Sequence, residues 1–402
     1  MGVNMPETSD QHIGARIREL RAIRDFSLAE LGRRAHVSTS QLSRVENGEQ
    51  PASASVLSAV ARALAVDISV LHGQPYIKIL QKDQLDAMVS PIGSALEAWD
   101  IELDDEPEPR SIEGLEAEIA RMVRLRLEAN FTETAKGLPG LITEVASVVR
   151  RYDSPGRDRE RAYALLTEVS RTAASIAYRL GYADLARLAV ARMGSAARES
   201  GDPCLVAIER FERAAITHGS AGRADRSVAL MRQALRDLED DGSRPVRAMR
   251  GILALRGVTY ARRAGHTSTA DDWLEQAREL AQLTGDVDLH ALSFGPRWVQ
   301  MSTVSDLNDV DNHDEALRQV ADMRLPKGHP PNRTAHFWIN KARSQAWTAR
   351  HDEALDSLRE ARKVAPQMTR YHPEVHETVG TLLRARQRAT DSLREFAQWS
   401  GV

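Results

Sequence analysis

The residues best equipped for specific recognition form a polar run near the start of the chain. They are Ser38, Thr39, Ser40, Gln41, Ser43, Arg44 and Asn47. Hydroxyl and amide groups both donate and accept hydrogen bonds, and the guanidinium adds donors and a permanent positive charge. A helix that serves only for packing does not normally expose such a set. The run predicts a surface that recognises a polar or anionic partner.

Other residues capable of chemistry do not form a catalytic or metal-binding pattern. His372 and His376 are four residues apart, but Pro373 lies between them and no third ligand is evident, so we interpret them as surface or capping residues. Cys204 stands at a predicted helix start, which could lower its pKa, but we interpret this lone cysteine as a packing residue. The acidic run 100–108 lacks calcium-loop spacing and is interpreted as solvated. Phosphate-binding glycine motifs are also missing. We therefore expect no enzyme, no metal and no cofactor.

Helix caps position the polar run. Ser27 precedes Glu30 by three residues and Ser38 precedes Gln41 by three, and each pair forms a capping box that starts a helix. Asn47-Gly48 ends the second of these helices. Two short helices joined by a three- or four-residue turn have the helix-turn-helix geometry.

Three further helical patterns surround this motif. They run from His12 to Arg24, from a cap at Ser53 through Leu64, and from Val66 to Leu71. Residues 11–73 therefore predict a five-helix domain, with residues 1–10 disordered. Residues 74–111 contain four prolines and many acids, which predict a linker with at most short helices around Gly93–Trp99.

Charge is segregated along the chain. The 402 residues carry 54 basic and 57 acidic side chains, a net charge of −3 that argues against a nucleic-acid binder if it is evenly spread. Residues 11–73, however, have a net charge of +2, and residues 83–118 have a net charge of −11. The distribution of charge along the chain is therefore compatible with nucleic-acid binding by residues 11–73, although the total charge argues against it.

Residues 13–71 resemble the Cro/C1-type, or XRE, helix-turn-helix family, with a lambda-repressor-like fold. The matching positions include Leu20, Arg21, Arg24, Ser27, Leu31, Ala35, Val37, Ser38, Leu42, Ser43, Glu46, Gly48, Pro51, Leu57, Ala61, Leu64, Val66 and Leu71. Leu28 departs from the family pattern, which often has glutamine there to support a DNA contact.

The resemblance implies a role for each polar residue of the second motif helix. Thr39, Ser40 and Arg44 occupy positions that reach base edges, and a guanidinium can bind guanine through two hydrogen bonds. Positions that touch phosphates are occupied by Ser43, Asn47 and the Ser38–Thr39 helix start. Gln41 belongs to the same polar face. Arg21 and Glu46 match a structural ion pair.

The remainder of the chain, residues 112–402, has helical periodicity and internal repeats. The pentapeptide HDEAL occurs at His313–Leu317 and His351–Leu355. Residues 335–366 resemble a tetratricopeptide (TPR) unit, with Trp338, Ala342, Ala354, Ala361 and Pro366 at the family spacing. The same register upstream places small residues at Ala186, Ser227, Ala270, Ala316 and Ala354, which predicts five repeats over residues 160–370. A helical pair at 115–151 and a cap at 373–399 complete an all-α solenoid.

Such arrays present a concave surface to peptides or proteins. Candidate effector-binding residues on it are Arg171, Arg179, Arg262, Arg343 and Trp347. Arginines with aromatic residues suit a carboxylate-bearing ligand or an extended peptide. The alternative is that these side chains pack internally or face solvent.

The whole arrangement resembles actinobacterial regulators that join an XRE reader to a TPR sensor. It implies a cytoplasmic, nucleoid-associated homodimer that binds operator DNA and, through its repeats, a peptide, small-molecule or protein effector, without a membrane. Two alternatives remain open: a TPR adaptor that scaffolds a protein partner, and a plasmid-maintenance DNA-binding protein.

Overall fold

A computed structural model of the chain describes residues 13–23, 26–50, 52–64, 71, 79–101, 108–152, 154–218, 224–309, 311–321, 323, 325, 328–385 and 390–402. The described part is helical except for one short hairpin and the connecting turns, which confirms the all-α prediction. The disorder expected for residues 1–10 and most of the helix expected at Val66–Leu71 lie outside the described residues.

Four helices build the N-terminal domain: α1 (Ile13–Ile23), α2 (Leu28–Ala35), α3 (Thr39–Glu46) and α4 (Ala54–Ala63). The predicted caps are present. The Ser27, Ser38 and Ser53 hydroxyls accept hydrogen bonds from the backbone N–H groups of Glu30, Gln41 and Val56 at 3.0, 3.2 and 3.2 Å. The domain has its own core, which includes Ile17, Leu31, Leu42, Val45, Val60 and Leu64.

The predicted linker contains a long helix, which corrects the expectation of short helices only. Helix α5 (Ile79–Glu97) has 19 residues and includes Pro91. Its apolar residues at helical spacing, Leu85, Val89, Ile92 and Leu96, are buried in the core of the following array. Burial of this stripe outweighs the missing backbone donor of an exposed proline.

Fifteen further helices follow in the described part of the chain. In chain order they are α6 (Ile112–Leu127), α7 (Phe131–Arg151), α8 (Arg157–Arg179), α9 (Ala183–Glu199), α10 (Pro203–His218), α11 (Ala224–Asp237), α12 (Arg244–Arg263), α13 (Thr267–Thr284), α14 (Pro296–Asp309), α15 (His313–Val320), α16 (Pro331–Trp347), α17 (His351–Val364), α18 (Pro366–Tyr371), α19 (Pro373–Ala385) and α20 (Asp391–Ser400). Twelve of these fifteen helices, α6 to α17, form six consecutive pairs, and α18 to α20 follow them. The five predicted small residues, Ala186, Ser227, Ala270, Ala316 and Ala354, all have 0% exposure.

The array closes on itself. One apolar core joins helices α5–α9 to helices α16–α20, although these groups are far apart in sequence. At the junction, the Gln367 side-chain oxygen accepts hydrogen bonds from the backbone N–H groups of Phe131 and Thr132, at 2.9 and 3.2 Å. Trp338 packs against both this core and the small core of α14–α16, so it lies between them.

A short antiparallel hairpin interrupts the helices, which the sequence did not predict. Strands β1 (Val287–Leu289) and β2 (Leu292–Phe294) are joined by His290 and Ala291, whose φ angles are +47° and +56°. Neither residue favours this left-handed conformation. Arginines from distant helices hold the turn: Arg171 donates to the His290 carbonyl at 2.6 Å and Arg333 donates to the Ala291 carbonyl at 2.5 Å.

The hairpin also packs tightly on α12, and this contact predicts a large effect of one methyl group. A Cβ atom at Gly251 would lie 1.9 Å from the ring of Phe294, which is only 1% exposed. We expect Gly251→Ala to lower the free energy of unfolding by about 1–3 kcal/mol, since a buried ring has nowhere to move. Gly140→Ala in α7, where nothing lies within 4 Å, is the matched control and should leave stability unchanged or raise it slightly. Urea unfolding of the full chain measures both, and equal effects would contradict the packing described.

Candidate nucleic-acid interface

A tight turn sets the angle between α2 and α3. His36 has a φ of +55°, and the Val37 backbone N–H donates to the Gly32 carbonyl at 3.0 Å. A Cβ atom at Gly32 would approach the Val37 carbonyl oxygen to 2.8 Å. Glycine at position 32 therefore lets the backbone pass close enough to bring α3 across α2.

An ion pair fixes α3 against α1. The Arg21 guanidinium donates to both carboxylate oxygens of Glu46, from Nε at 2.7 Å and from Nη2 at 2.9 Å. The Glu46 side chain is only 3% exposed, and Arg21 also donates to the Phe26 carbonyl at 2.9 Å. The hydrogen bond to Glu46 raises the pKa of Arg21 despite its partial burial. The pair implied by the family resemblance is thus confirmed, and it belongs to the fold rather than to the exposed surface.

Helix α3 presents its polar side chains to solvent. Leu42, Val45 and Glu46 are buried, whereas the side chains at positions 39, 40, 44 and 47 are exposed and those at 41 and 43 are half-buried. Within the described ranges, Arg44 makes no side-chain hydrogen bond or ion pair. Its guanidinium is therefore available to a partner without the loss of an internal contact.

The start and end of α3 offer further donors. The first backbone N–H groups of a helix have no acceptor within the helix. The Ser38 hydroxyl caps only that of Gln41, so those of Thr39 and Ser40 have no partner within α3. Such groups attract an anion. At the other end, the Asn47 side-chain oxygen accepts a hydrogen bond from Arg18, which leaves the Asn47 amide nitrogen as its donor.

Helix α2 contributes less charge than its sequence indicates. Arg33 and Arg34 both pair with Glu30, at 2.7 and 2.6 Å. Hydrogen bonds from Arg34 and Arg33 hold the pKa of the Glu30 carboxyl below its usual range. Leu28, the departure from the family pattern, packs against the domain core instead of offering a polar group.

The structure does not gather all five candidate effector residues. Arg171 and Arg179 line an interior cavity of about 310 Å³ within the helical array. The other three make contacts elsewhere: Arg262 lies 3.8 Å from Asp271, Arg343 lies 3.5 Å from Glu374, and Trp347 stacks on His313 with ring centroids 4.7 Å apart. These contacts agree with the alternative of internal packing for those three residues.

Three cavity arginines were missed by sequence reasoning. They are Arg126, Arg256 and Arg333. Like Arg171 and Arg179, each lies on the first helix of a pair, and that shared position is a signal that the sequence carries. Their convergence depends on the closure of the array and on the hairpin, neither of which was predicted.

Cys204 is buried in the core of the array, which confirms its interpretation as a packing residue, and burial raises the pKa of its thiol to about 11. His372 is the C-cap of α18, and its carbonyl accepts a hydrogen bond from the Val375 backbone N–H at 3.1 Å, which agrees with the predicted capping role. His372 also makes an edge-to-face contact with His336, His376 bonds the Arg370 carbonyl at 2.7 Å, and both histidines are half-buried instead of lying on the surface. No group of three potential metal ligands occurs among the described residues. Every helix in the described ranges is too short or too polar to cross a bilayer.

Comparison with known proteins identifies the N-terminal domain. Residues 12–72 match the model of a family described as a helix-turn-helix domain. Among solved structures, the chain is similar to PlcR of Bacillus thuringiensis, solved in complex with the peptide PapR7 and DNA; the identity is 15%, the TM-score is 0.31, and the match covers 68% of this chain and 95% of that one. A search of curated proteins finds no match. The chain therefore consists of a helix-turn-helix domain followed by a closed array of helix pairs.

Proposed function

We propose that the chain is a sequence-specific, DNA-binding transcriptional regulator whose α3 enters the major groove of an operator. The observation that carries the proposal is the exposed polar face of α3, held on a helix whose buried side is fixed by the Arg21–Glu46 pair. The match of residues 12–72 to a helix-turn-helix family supports the same function.

The geometry supports base contacts from some residues of α3 and phosphate contacts from others. Arg44, exposed and without a side-chain partner among the described residues, is the base reader and would bind guanine O6 and N7. Thr39, Ser40 and Gln41 face the neighbouring base edges. The free N–H groups at the start of α3, together with Ser43 and Asn47, would hold phosphates and set the register of the helix on the duplex.

Two copies of the reader are needed for useful affinity. The segment 11–73 has a net charge of only +2, and in α2 the charges of Arg33 and Arg34 are partly offset by Glu30. Few phosphate contacts give weak binding, whereas linking two readers raises affinity through effective concentration. We propose that the TPR-like array dimerises the protein and senses an effector, and that the protein acts at the nucleoid in the cytoplasm.

Recovery of genomic DNA fragments on the immobilised full chain, followed by sequencing, tests this function. We expect one enriched motif made of two related half-sites whose centres are about 10 base pairs apart, or a multiple of that distance. Recovery without a common motif would contradict sequence-specific binding and favour the adaptor function. Enrichment of a single half-site would contradict the proposed dimer but would leave sequence-specific binding intact.

A further inference from the structure

The interior cavity is built by the first helices of six consecutive pairs. Its walls come from α6, α8, α10, α12, α14 and α16, together with the β hairpin. The bonds of Gln367 to Phe131 and Thr132 tie the two ends of the array together. The space is thus an interior pocket that remains partly open to solvent, and its volume of about 310 Å³ lies at the small end of ligand pockets.

The cavity contains more positive than negative charge. Five guanidiniums line it, those of Arg126, Arg171, Arg179, Arg256 and Arg333. The neighbouring carboxylates are those of Glu168, Glu212, Asp288 and Asp306; Asp288 is 75% exposed at the rim, 3.8 Å from Arg333, and Asp306 accepts a hydrogen bond from the lining residue Thr259 at 2.8 Å. Among the described residues, positive groups therefore outnumber negative ones by one. Such an excess inside a protein is unfavourable unless an anion compensates it.

Some of these guanidinium donors have no partner. The Nε and Nη2 atoms of Arg126 and the Nη2 atom of Arg171 are buried without a hydrogen bond among the described residues. The Glu168 carboxylate lies 3.9 Å from Arg126 Nη2, which is too far for a hydrogen bond. Burial, with the nearby charge of Arg171 as a smaller cause, lowers the pKa of Arg126 to about 10. Buried donors normally find acceptors, but the nearby Glu168 Oε2 atom is itself buried without a hydrogen bond among the described residues, so the donors and this acceptor all keep unused bonding capacity.

The remaining wall is apolar and aromatic. Phe211, Ile252, Leu255 and Trp298 line it, and the Arg256 guanidinium lies over the Phe211 ring at 4.5 Å. A ligand that satisfies both walls needs an apolar or aromatic body and an anionic group. Inorganic ions satisfy only the charged wall, and an extended peptide needs more space than a volume of about 310 Å³ provides.

We propose that the cavity binds a small organic anion with an aromatic or apolar body and one or two carboxylate or phosphate groups, with the anionic end at Arg126 and Arg171. The inference specifies the ligand class for the proposed sensing function. It rests on that function in one respect, namely that ligand binding in the cavity changes the relative position of the two DNA-binding domains. The array closes around the ligand, so the ligand contributes to the packing that joins its two ends.

Fluorescence titration of the full chain with two related probes tests the charge requirement. One probe is 8-anilinonaphthalene-1-sulfonate, an aromatic anion, and the other is N-phenyl-1-naphthylamine, which has the same rings without the sulfonate. We expect saturable one-to-one binding of the anion and at least about tenfold weaker binding of the neutral probe. Phthalate and phenyl phosphate then compete, and the stronger competitor tells a carboxylate from a phosphate site. Equal affinity for the two probes, or no displacement by either competitor, would overturn the proposal.

Arg126→Met separates a binding role from a structural one. We expect about tenfold weaker binding of the anionic probe, unchanged binding of the neutral one, and a thermal midpoint equal to or above that of the wild type, because a buried cation with two unsatisfied donor atoms and only a long ion pair to Glu168 has been removed. Arg278→Met is the control, since Arg278 is exposed on α13 and pairs with Glu275. A lower midpoint with unchanged probe affinity would assign Arg126 to the fold and contradict the proposal.

A second variant and a peptide competitor complete the test. If Arg126→Met does not fold, Arg179→Met takes its place, because no carboxylate lies within ion-pair distance of Arg179 in the described residues. A peptide of six residues with a free carboxylate that outcompetes both small anions would overturn the assignment to a small molecule. The titration needs no DNA, so a failure of DNA binding would refute the regulator function while leaving the cavity result intact.

Discussion

Replacing Arg44 with alanine should lower affinity for the recovered DNA site by about tenfold to a hundredfold per half-site, since a two-bond arginine–guanine contact contributes about 1–3 kcal/mol. Stability should not change, because Arg44 is exposed and has no internal side-chain partner in the described structure. Fluorescence anisotropy with a labelled duplex measures the affinity, and thermal unfolding checks the fold.

The matched control for charge is Arg62→Ala, which removes one exposed cation from α4 of the same domain. We expect it to weaken specific and random DNA by a similar small factor, about threefold or less. Arg44→Ala should weaken the specific site far more than random DNA. An equal loss on both kinds of DNA would make Arg44 a phosphate contact and not a base reader.

The Arg21→Ala variant should destabilise the N-terminal domain by about 2–4 kcal/mol, a large share of the stability of a small domain. The change leaves the Glu46 carboxylate, 3% exposed, with only Arg18 at 3.5 Å. DNA affinity should fall as well, because α3 loses its anchor to α1. Thermal and urea unfolding of the full chain would show an early transition for this domain.

Two comparisons isolate the buried pair. Arg33→Ala removes an arginine from an exposed pair with Glu30 and should change stability little. Adding Glu46→Ala to Arg21→Ala should recover part of the lost stability, since no buried carboxylate then remains unpaired. If Arg21→Ala and Arg33→Ala unfold alike, the pair does not hold the domain together.

Local rules were sufficient for the helix-turn-helix domain. The hydroxyls of Ser27, Ser38 and Ser53 each cap the helix predicted for them, because capping depends on a few neighbouring residues. The Arg21–Glu46 pair came from the family resemblance and not from spacing. The small residues of the repeats were equally visible, since close helix packing requires one in each repeat even where the repeats differ in length.

Long-range contacts explain what sequence reasoning missed. The left-handed turn at His290 and Ala291 depends on hydrogen bonds from Arg171 and Arg333, residues more than forty positions away. Closure of the array through Gln367 joins residues over two hundred positions apart. No local pattern reports either contact. In the sequence of α5, Pro91 and the neighbouring acidic residues favour a linker more strongly than the apolar stripe favours a helix.

The same limit applies to the candidate effector residues. Arg262 and Arg343 lie on first helices of pairs, as the cavity arginines do. Each lies beside a carboxylate on a neighbouring helix instead of lining the cavity. Arg126 lies outside the five predicted repeats and contributes unpartnered donors to the cavity. Sequence register identified helices that line the interior, while the direction of each side chain depended on the curvature of the closed array.

The most direct test of the central claim is the affinity of the full chain for its recovered DNA site against a scrambled duplex of equal length and composition, at one fixed salt concentration. The account predicts binding to the recovered site at least about a thousandfold tighter, the usual margin of a specific reader. Equal affinity for the two duplexes would contradict the assignment of α3 as a sequence reader and, with it, the proposed function as a regulator.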